Sequence, residues 1–218
     1  MKLLLTSGGI SNDSIAQALL VLIGKPANET GVAFIPTAAN VESGDKRWLI
    51  KDITRLVDLG FKPVDIVDIS ALEKSSWLPR LEAAEVLFFS GGNTFHLLHW
   101  IQKSGLRELL PELLKTRIWV GSSAGSMVVC PTLDLSTSQN LYQEDMDKTT
   151  DEGALGLVDL YILPHLNSPH FPKATAERIE TETAHLGKPI YGLDDMSAVK
   201  VDGDTITMVS EGKYVLKK

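Results

Sequence analysis

The 218-residue chain contains one cysteine, Cys130, which excludes an internal disulfide and any zinc site built from cysteines. Histidine is sparse too: five are present, none in a His-Glu-x-x-His pattern, so no metal or metal cofactor is expected. There is no surplus of positive charge. Lys and Arg number 21 against 28 Asp and Glu, a formal charge of −7, and neither a basic stripe nor a polybasic tail occurs. That balance speaks against a nucleic acid or an anionic membrane as partner. No apolar run is long enough to span a bilayer. The opening MKLLLTSGG lacks the long apolar segment and small-residue cleavage site of a secretion signal, so the expected location is cytoplasmic. G-x-G-x-x-G and Walker patterns are also missing, which removes the usual nucleotide cradles.

What remains is an ordinary globular composition, 44% hydrophobic and 22% charged, long enough to bury one core. A single α/β domain over residues 1–218 is the expectation, and the sequence leaves monomer and homodimer equally open.

Apolar, strand-like runs alternate with helical patterns from the first residues. KLLLTSGG, GVAFIPTAA, PVDIVDIS, EVLFFSGGN and RIWVGSS read as five strands. Between them, DSIAQALLVLIG and DKRWLIKDITRLVDLG read as helices, the second with Trp48, Ile50, Ile53, Leu56, Val57 and Leu59 near one face. TFHLLHWIQKSGLRELLPELLKT reads as one or two helices broken at Gly105 and Pro111. This alternation predicts a parallel sheet covered by helices on both faces, with ligands at the carboxyl ends of its strands. Residues 133–156 are polar and acidic, with Glu144, Asp145, Asp147, Asp151 and Glu152, and read as a long surface loop. LVDLYILPHL then resumes the sheet, FPKATAERIETETAHLG is a helix and KPIYGLDD another strand. The tail alternates around Asp202-Gly203 as a hairpin.

Three small-residue turns fall at the expected ligand edge: Ser7-Gly8-Gly9, Ser90-Gly91-Gly92-Asn93 and Gly121-Ser122-Ser123-Ala124-Gly125. The last fits Gly-x-Ser-x-Gly, in which a sharp strand-to-helix turn exposes the central hydroxyl, here Ser123. The following N–H, here Ala124, is then placed to stabilise an oxyanion. The bland reading is that small residues only let the backbone pack closely. A serine nucleophile needs a base and an orienting carboxylate. His96 and His99 read as a helix face and His185 as a helix-end cation. His165 in ILPHL and His170 in NSPHF both follow a strand, and Pro169 and Phe171 favour His170 by holding its ring. Asp194 and Asp195 end the next strand, and Asp134 follows the serine turn. The order Ser123, His170, Asp195 differs from the Ser, acid, His order of α/β-hydrolases. Cys130, just before Pro131, reads as a small buried residue rather than a nucleophile. A non-catalytic small-molecule binding domain and an esterase or amidohydrolase remain alternatives.

FFSGGNTFHLL, GSSAGS followed by CPT, NSPHF and GLDD, in this order over roughly residues 1–200, together resemble the S51 serine peptidases, the group of α-aspartyl dipeptidase (peptidase E) and cyanophycinase. The resemblance implies a flavodoxin-like α/β fold related to class I glutamine amidotransferases, ending here in a C-terminal β-hairpin. It implies a Ser-His-Glu/Asp triad at Ser123, His170 and Asp195, with Asp194 in reserve. The Gly91-Gly92-Asn93 turn would supply the second oxyanion donor through the Gly92 N–H. The implied substrate is a short peptide with an amino-terminal aspartate, and no metal is implied. The acid is often glutamate in the family. Arg178, Lys173 and Lys46 are the candidates to hold a substrate carboxylate, and the acidic stretch after Asp134 is a poor lining for one.

Overall fold

The computed structural model of the chain describes residues 1–144 and 153–217. Its elements run β1 (Lys2–Thr6), α1 (Asp13–Ile23), β2 (Val32–Ile35), α2 (Thr37–Asn40), α3 (Arg47–Asp58), β3 (Val64–Ile66), α4 (Lys74–Ala83), β4 (Val86–Phe89) and α5 (Thr94–Lys103). They continue with α6 (Leu110–Leu113), β5 (Ile118–Ser122), α7 (Ala124–Met127), α8 (Leu135–Tyr142), β6 (Tyr161–Leu163), α9 (Ala176–Glu182), β7 (Ile190–Leu193), β8 (Ser197–Asp202), β9 (Thr205–Ser210) and β10 (Tyr214–Lys217).

A seven-stranded sheet in the order β3-β2-β4-β5-β1-β8-β9 forms the centre. Its first five members are parallel, whereas β8 and β9 run antiparallel. Strands buried on both faces need unbroken apolar runs, and Leu3-Leu4-Leu5, Val86-Leu87-Phe88-Phe89 and Trp119-Val120 supply them. Alternate residues feed two cores. One face carries Leu3, Leu5, Ile35, Phe89 and Trp119, and the other carries Leu4, Phe34, Phe88, Val120 and the apolar side of α1. Phe89 stacks on Trp119 with ring centroids 3.6 Å apart, and Phe34 on Phe88 at 5.0 Å. The mostly parallel sheet with helices on both faces is the flavodoxin-like α/β architecture.

Four details differ from the sequence reading. The LVDLYILPHL strand does not rejoin the main sheet. It is β6 of a separate three-stranded sheet ordered β10-β7-β6, so the tail splits into the β8–β9 hairpin and a third strand that pairs with β7. Within the acidic stretch, residues 135–142 form α8, because the Asp134 carboxylate caps it by accepting the Thr137 N–H at 2.6 Å. Asp145, Asp147, Asp151 and Glu152 lie outside the described residues. Helix α3 turns Ile50 and Val57 to solvent and buries Asp52 beside Leu56, because the Asp52 carboxyl rests against Gly9. Pro111 sits in the first turn of α6, where a missing N–H costs nothing, rather than breaking a helix.

Candidate active site

The carboxyl ends of β1, β4 and β5 carry the three small-residue turns side by side. At the end of β5 the chain turns into α7 through Ser123, whose φ of 49° and ψ of −107° are strained for an L-residue. Neighbouring glycines make the turn possible. A Cβ on Gly125 would come within 2.2 Å of the Phe89 carbonyl oxygen, and one on Gly121 within 2.4 Å of the Gly125 carbonyl oxygen. Further hydrogen bonds fix the turn: Ser123 N–H donates to the Thr6 carbonyl at 3.0 Å, and Trp119 Nε1–H to the Gly125 carbonyl at 2.9 Å. The Ser126 hydroxyl lies between the Thr6 and Gly121 carbonyls at 2.8 and 2.9 Å.

His165 Nε2 lies 2.8 Å from Ser123 Oγ, and its Nδ1 lies 2.7 Å from Asp195 Oδ1. An ionised carboxylate only accepts, so Nδ1 carries a proton and Nε2 is left to accept from the serine hydroxyl. Burial alone would raise the Asp195 carboxyl. The hydrogen bond and charge of His165 and the Ser7 hydroxyl outweigh that and hold it below the ordinary carboxylate range.

The histidine expected beside Ser123, His170, is not the one found there. His170 is exposed, five residues beyond the ring that makes the contact. The reason is local. The chain reverses through left-handed residues at His165 and Asn167, with φ of 65° and 57°. The Pro169-His170-Phe171 element does immobilise a ring, but that ring belongs to His165. Phe171 stacks on it at 4.2 Å and 12° between planes, and Tyr142 packs edge-on against Phe171. The Tyr142 hydroxyl donates to the Pro164 carbonyl at 3.0 Å. Asn167-Ser168-Pro169 marks a turn, but nothing in the sequence says that the turn presents His165 rather than His170.

The other candidates have partners elsewhere. Asp194 turns away from the imidazole, accepting the Met196 N–H at 3.0 Å, the Ser197 hydroxyl at 2.6 Å and the Lys213 N–H. Asp134 pairs with His185 Nε2 at 2.9 Å. Burial would raise the Asp134 carboxyl, yet the bonds from Thr137 and His185 bring it down to about 2. His96 and His99 sit on α5 with edge contacts to Trp100. Cys130 is buried and its thiol is pushed up to about 12 by burial, which leaves it inert as a nucleophile.

The Gly91-Gly92-Asn93 turn faces Ser123 from β4. A Cβ on Gly91 would lie 3.3 Å from Ser123 Cβ and 3.6 Å from the Trp48 ring. Gly92 has a φ of 128°, and a Cβ there would fall 2.1 Å from the Ala38 carbonyl oxygen. Asn93 caps α5, its side-chain oxygen accepting the His96 N–H at 2.8 Å, while its own N–H donates to the Ala38 carbonyl at 2.9 Å. The Glu144 carboxyl closes the first turn of α5, one oxygen accepting from the Thr94 N–H at 2.8 Å and the Thr94 hydroxyl at 2.7 Å. Burial dominates there and pushes Glu144 up to about 7. Among the candidate carboxylate clamps, Lys46 lies over the Trp48 ring at 5.7 Å, beside the glycine turn. Arg178 is engaged by Glu182 at 3.1 Å and by the Asn140 carbonyl at 3.2 Å. Among the described residues, no cluster of side chains is arranged to hold a metal ion, and no helix is long and apolar enough to cross a membrane.

A strained serine, an imidazole and a carboxylate at the edge of a mostly parallel sheet define a hydrolase-type site, and comparison with known proteins agrees. Residues 3–209 match Peptidase family S51, so the chain belongs to that family and is a peptidase. It is 30% identical over 189 residues to an uncharacterized peptidase of Listeria monocytogenes serovar 1/2a, covering 80% of this chain and 83% of that one. To peptidase E of Salmonella typhi it is 25% identical over 218 residues, covering 98% and 88%. A crystal structure of a Listeria monocytogenes EGD-e protein superposes with a TM-score of 0.80 at 23% identity, over 97% of this chain and 98% of that one, which speaks for the fold.

Proposed function

We propose that the chain is a serine peptidase that cleaves short peptides, with Asp-X dipeptides as its substrates, through Ser123, His165 and Asp195. The observation that carries this reading is the unbroken hydrogen-bonded line from Ser123 Oγ through both nitrogens of His165 to Asp195. Ser123 Oγ attacks the scissile carbonyl while His165 Nε2 takes its proton, and the ring delivers that proton to the leaving amine as the C–N bond breaks. Water, deprotonated by the same ring, then cleaves the acyl-serine ester, and the proton returns to Oγ. Asp195 keeps Nδ1 protonated and offsets the charge of the imidazolium. The N–H groups of Ala124 and Gly92 are the oxyanion donors, and Asn93 holds the glycine turn in place by capping α5. One such donor is worth about 10²–10³ in rate. The aspartyl preference follows the family resemblance, with Lys46 and Lys173 as the cations available to a substrate carboxylate.

A panel of X-Leu dipeptides tests both parts. Hydrolysis of Asp-Leu well above the others, lost in Ser123→Ala, is the expected result. Turnover that survives Ser123→Ala removes this serine from the mechanism. Equal turnover of all first residues removes the aspartyl preference alone.

A further inference from the structure

Ser7, the first residue beyond β1, is fully buried and belongs to none of the roles above. Its hydroxyl donates to Asp195 Oδ1 at 2.9 Å and accepts the His165 backbone N–H at 2.8 Å. Its own N–H donates to the Ser197 carbonyl at 3.2 Å. One hydroxyl therefore contacts both partners of the imidazole–carboxylate pair, and at Asp195 it uses the same oxygen that faces His165 Nδ1.

The topology gives those two bonds their meaning. His165 follows β6 and Asp195 follows β7, neighbouring strands of the small sheet, and the Leu166 N–H to Leu193 carbonyl bond at 2.9 Å ties their ends. Ser123 and Ser7 belong to the large sheet, where Thr6 pairs with Ser122. The base arrives on the small sheet and the nucleophile on the large one, while Asp195 sits in the link between them, two residues before β8 joins β1, with Ser7 at the seam. His165 also occupies the left-handed region, which a histidine does not hold without support, and its N–H is the group Ser7 accepts.

We propose that Ser7 is a positioning residue that latches the His165–Asp195 pair to the sheet bearing Ser123. Resting on the peptidase reading of this site, it acts through His165 and Asp195 and does not touch the substrate. Its titratable neighbours are those two residues. Asp194 is turned toward Lys213, and Asp52 lies against the adjacent Gly9.

The test is the rate at which a fluorophosphonate labels Ser123 between pH 5 and 9 in the unaltered protein, Ser7→Ala and Ser7→Cys, with thermal melts as a folding check. Loss of a hydrogen bond to a charged group predicts labelling of Ser7→Ala about tenfold to a hundredfold slower. The acid limb of its profile moves to higher pH, because a carboxylate short of one donor holds the imidazolium more firmly. Ser7→Cys, with a weak S–H donor in nearly the same volume, falls between, and carries the test if Ser7→Ala does not fold. Labelling at the unaltered rate with an unmoved acid limb overturns the proposal, as does equal slowing of both variants with that limb unmoved. Failure of the unaltered protein to label at Ser123 is a different result: it removes the proposed role of Ser123 as nucleophile.

Discussion

The two halves of the site are held by different kinds of contact. Around Ser123 the restraints are close backbone packing and bonds onto main-chain carbonyls: Gly125 against the Phe89 carbonyl, Gly121 against Gly125, the Thr6 carbonyl taking the Ser123 N–H, and Trp119 Nε1–H and the Ser126 hydroxyl donating to backbone carbonyls. Around His165 the restraints are side chains from separate elements: Phe171 across the ring, Tyr142 at the end of α8 backing Phe171, and the Ser7 hydroxyl accepting its N–H. The first half tolerates almost no added atom. The second tolerates substitution but loses alignment by degrees.

That contrast breaks most sharply at the reacting groups. Ser123→Ala and His165→Ala are each expected to lower kcat/KM for Asp-Leu by about 10⁴-fold or more with the fold retained, whereas His170→Ala stays within about twofold. A large loss in His170→Ala together with an active His165→Ala would reverse the assignment of the base. Next comes Gly125→Ala, whose new methyl has no space beside the Phe89 carbonyl. It should cost about 1–3 kcal/mol in urea unfolding, the range for overpacked sites. Phe171→Ala is the corresponding change in the other half, and should lower kcat about tenfold while barely moving the unfolding midpoint.

The smallest effect concerns pH. Asp52 is raised from 3.8 to about 7, first by burial, with Lys51 and Ser122 opposing, and Glu144 is likewise raised to about 7. In the folded chain these carboxyls bind protons more tightly than when unfolded. Their contribution is fully present below about pH 4 and is lost as pH rises through about 7. Asp134 has the opposite sign: its contribution, present above about pH 4, disappears as pH falls through about 2. Thermal melts should therefore show a maximum near pH 4 and a fall that levels off above about pH 7. Asp52→Asn should flatten that fall, and an unchanged slope would exclude Asp52 as its source.

Much of this was legible in the sequence. Five apolar runs alternating with helical patterns specify a parallel sheet, because strands buried on both faces must be apolar throughout. The glycine-flanked Ser123 could be singled out because close backbone approach excludes other residues at Gly121 and Gly125. The base could not. His165 gains its position from a reversal made by non-glycine residues, and from an aromatic six residues later that looked as if it served its own neighbour, His170. Asp52 was equally hidden. Periodicity marks Ile50 and Val57 as apolar but says nothing of the Asp52 carboxyl that rests on Gly9, on the face of α3 that is buried while they are exposed.

The pairing of β6 with β7 carries one more consequence. The carboxylate end of the acid–base couple runs within two residues into β8, which is hydrogen-bonded to β1 of the major sheet, so the two layers share a covalent hinge beside Asp195. The imidazole is therefore the member whose distance from Ser123 Oγ depends on how the minor layer is seated.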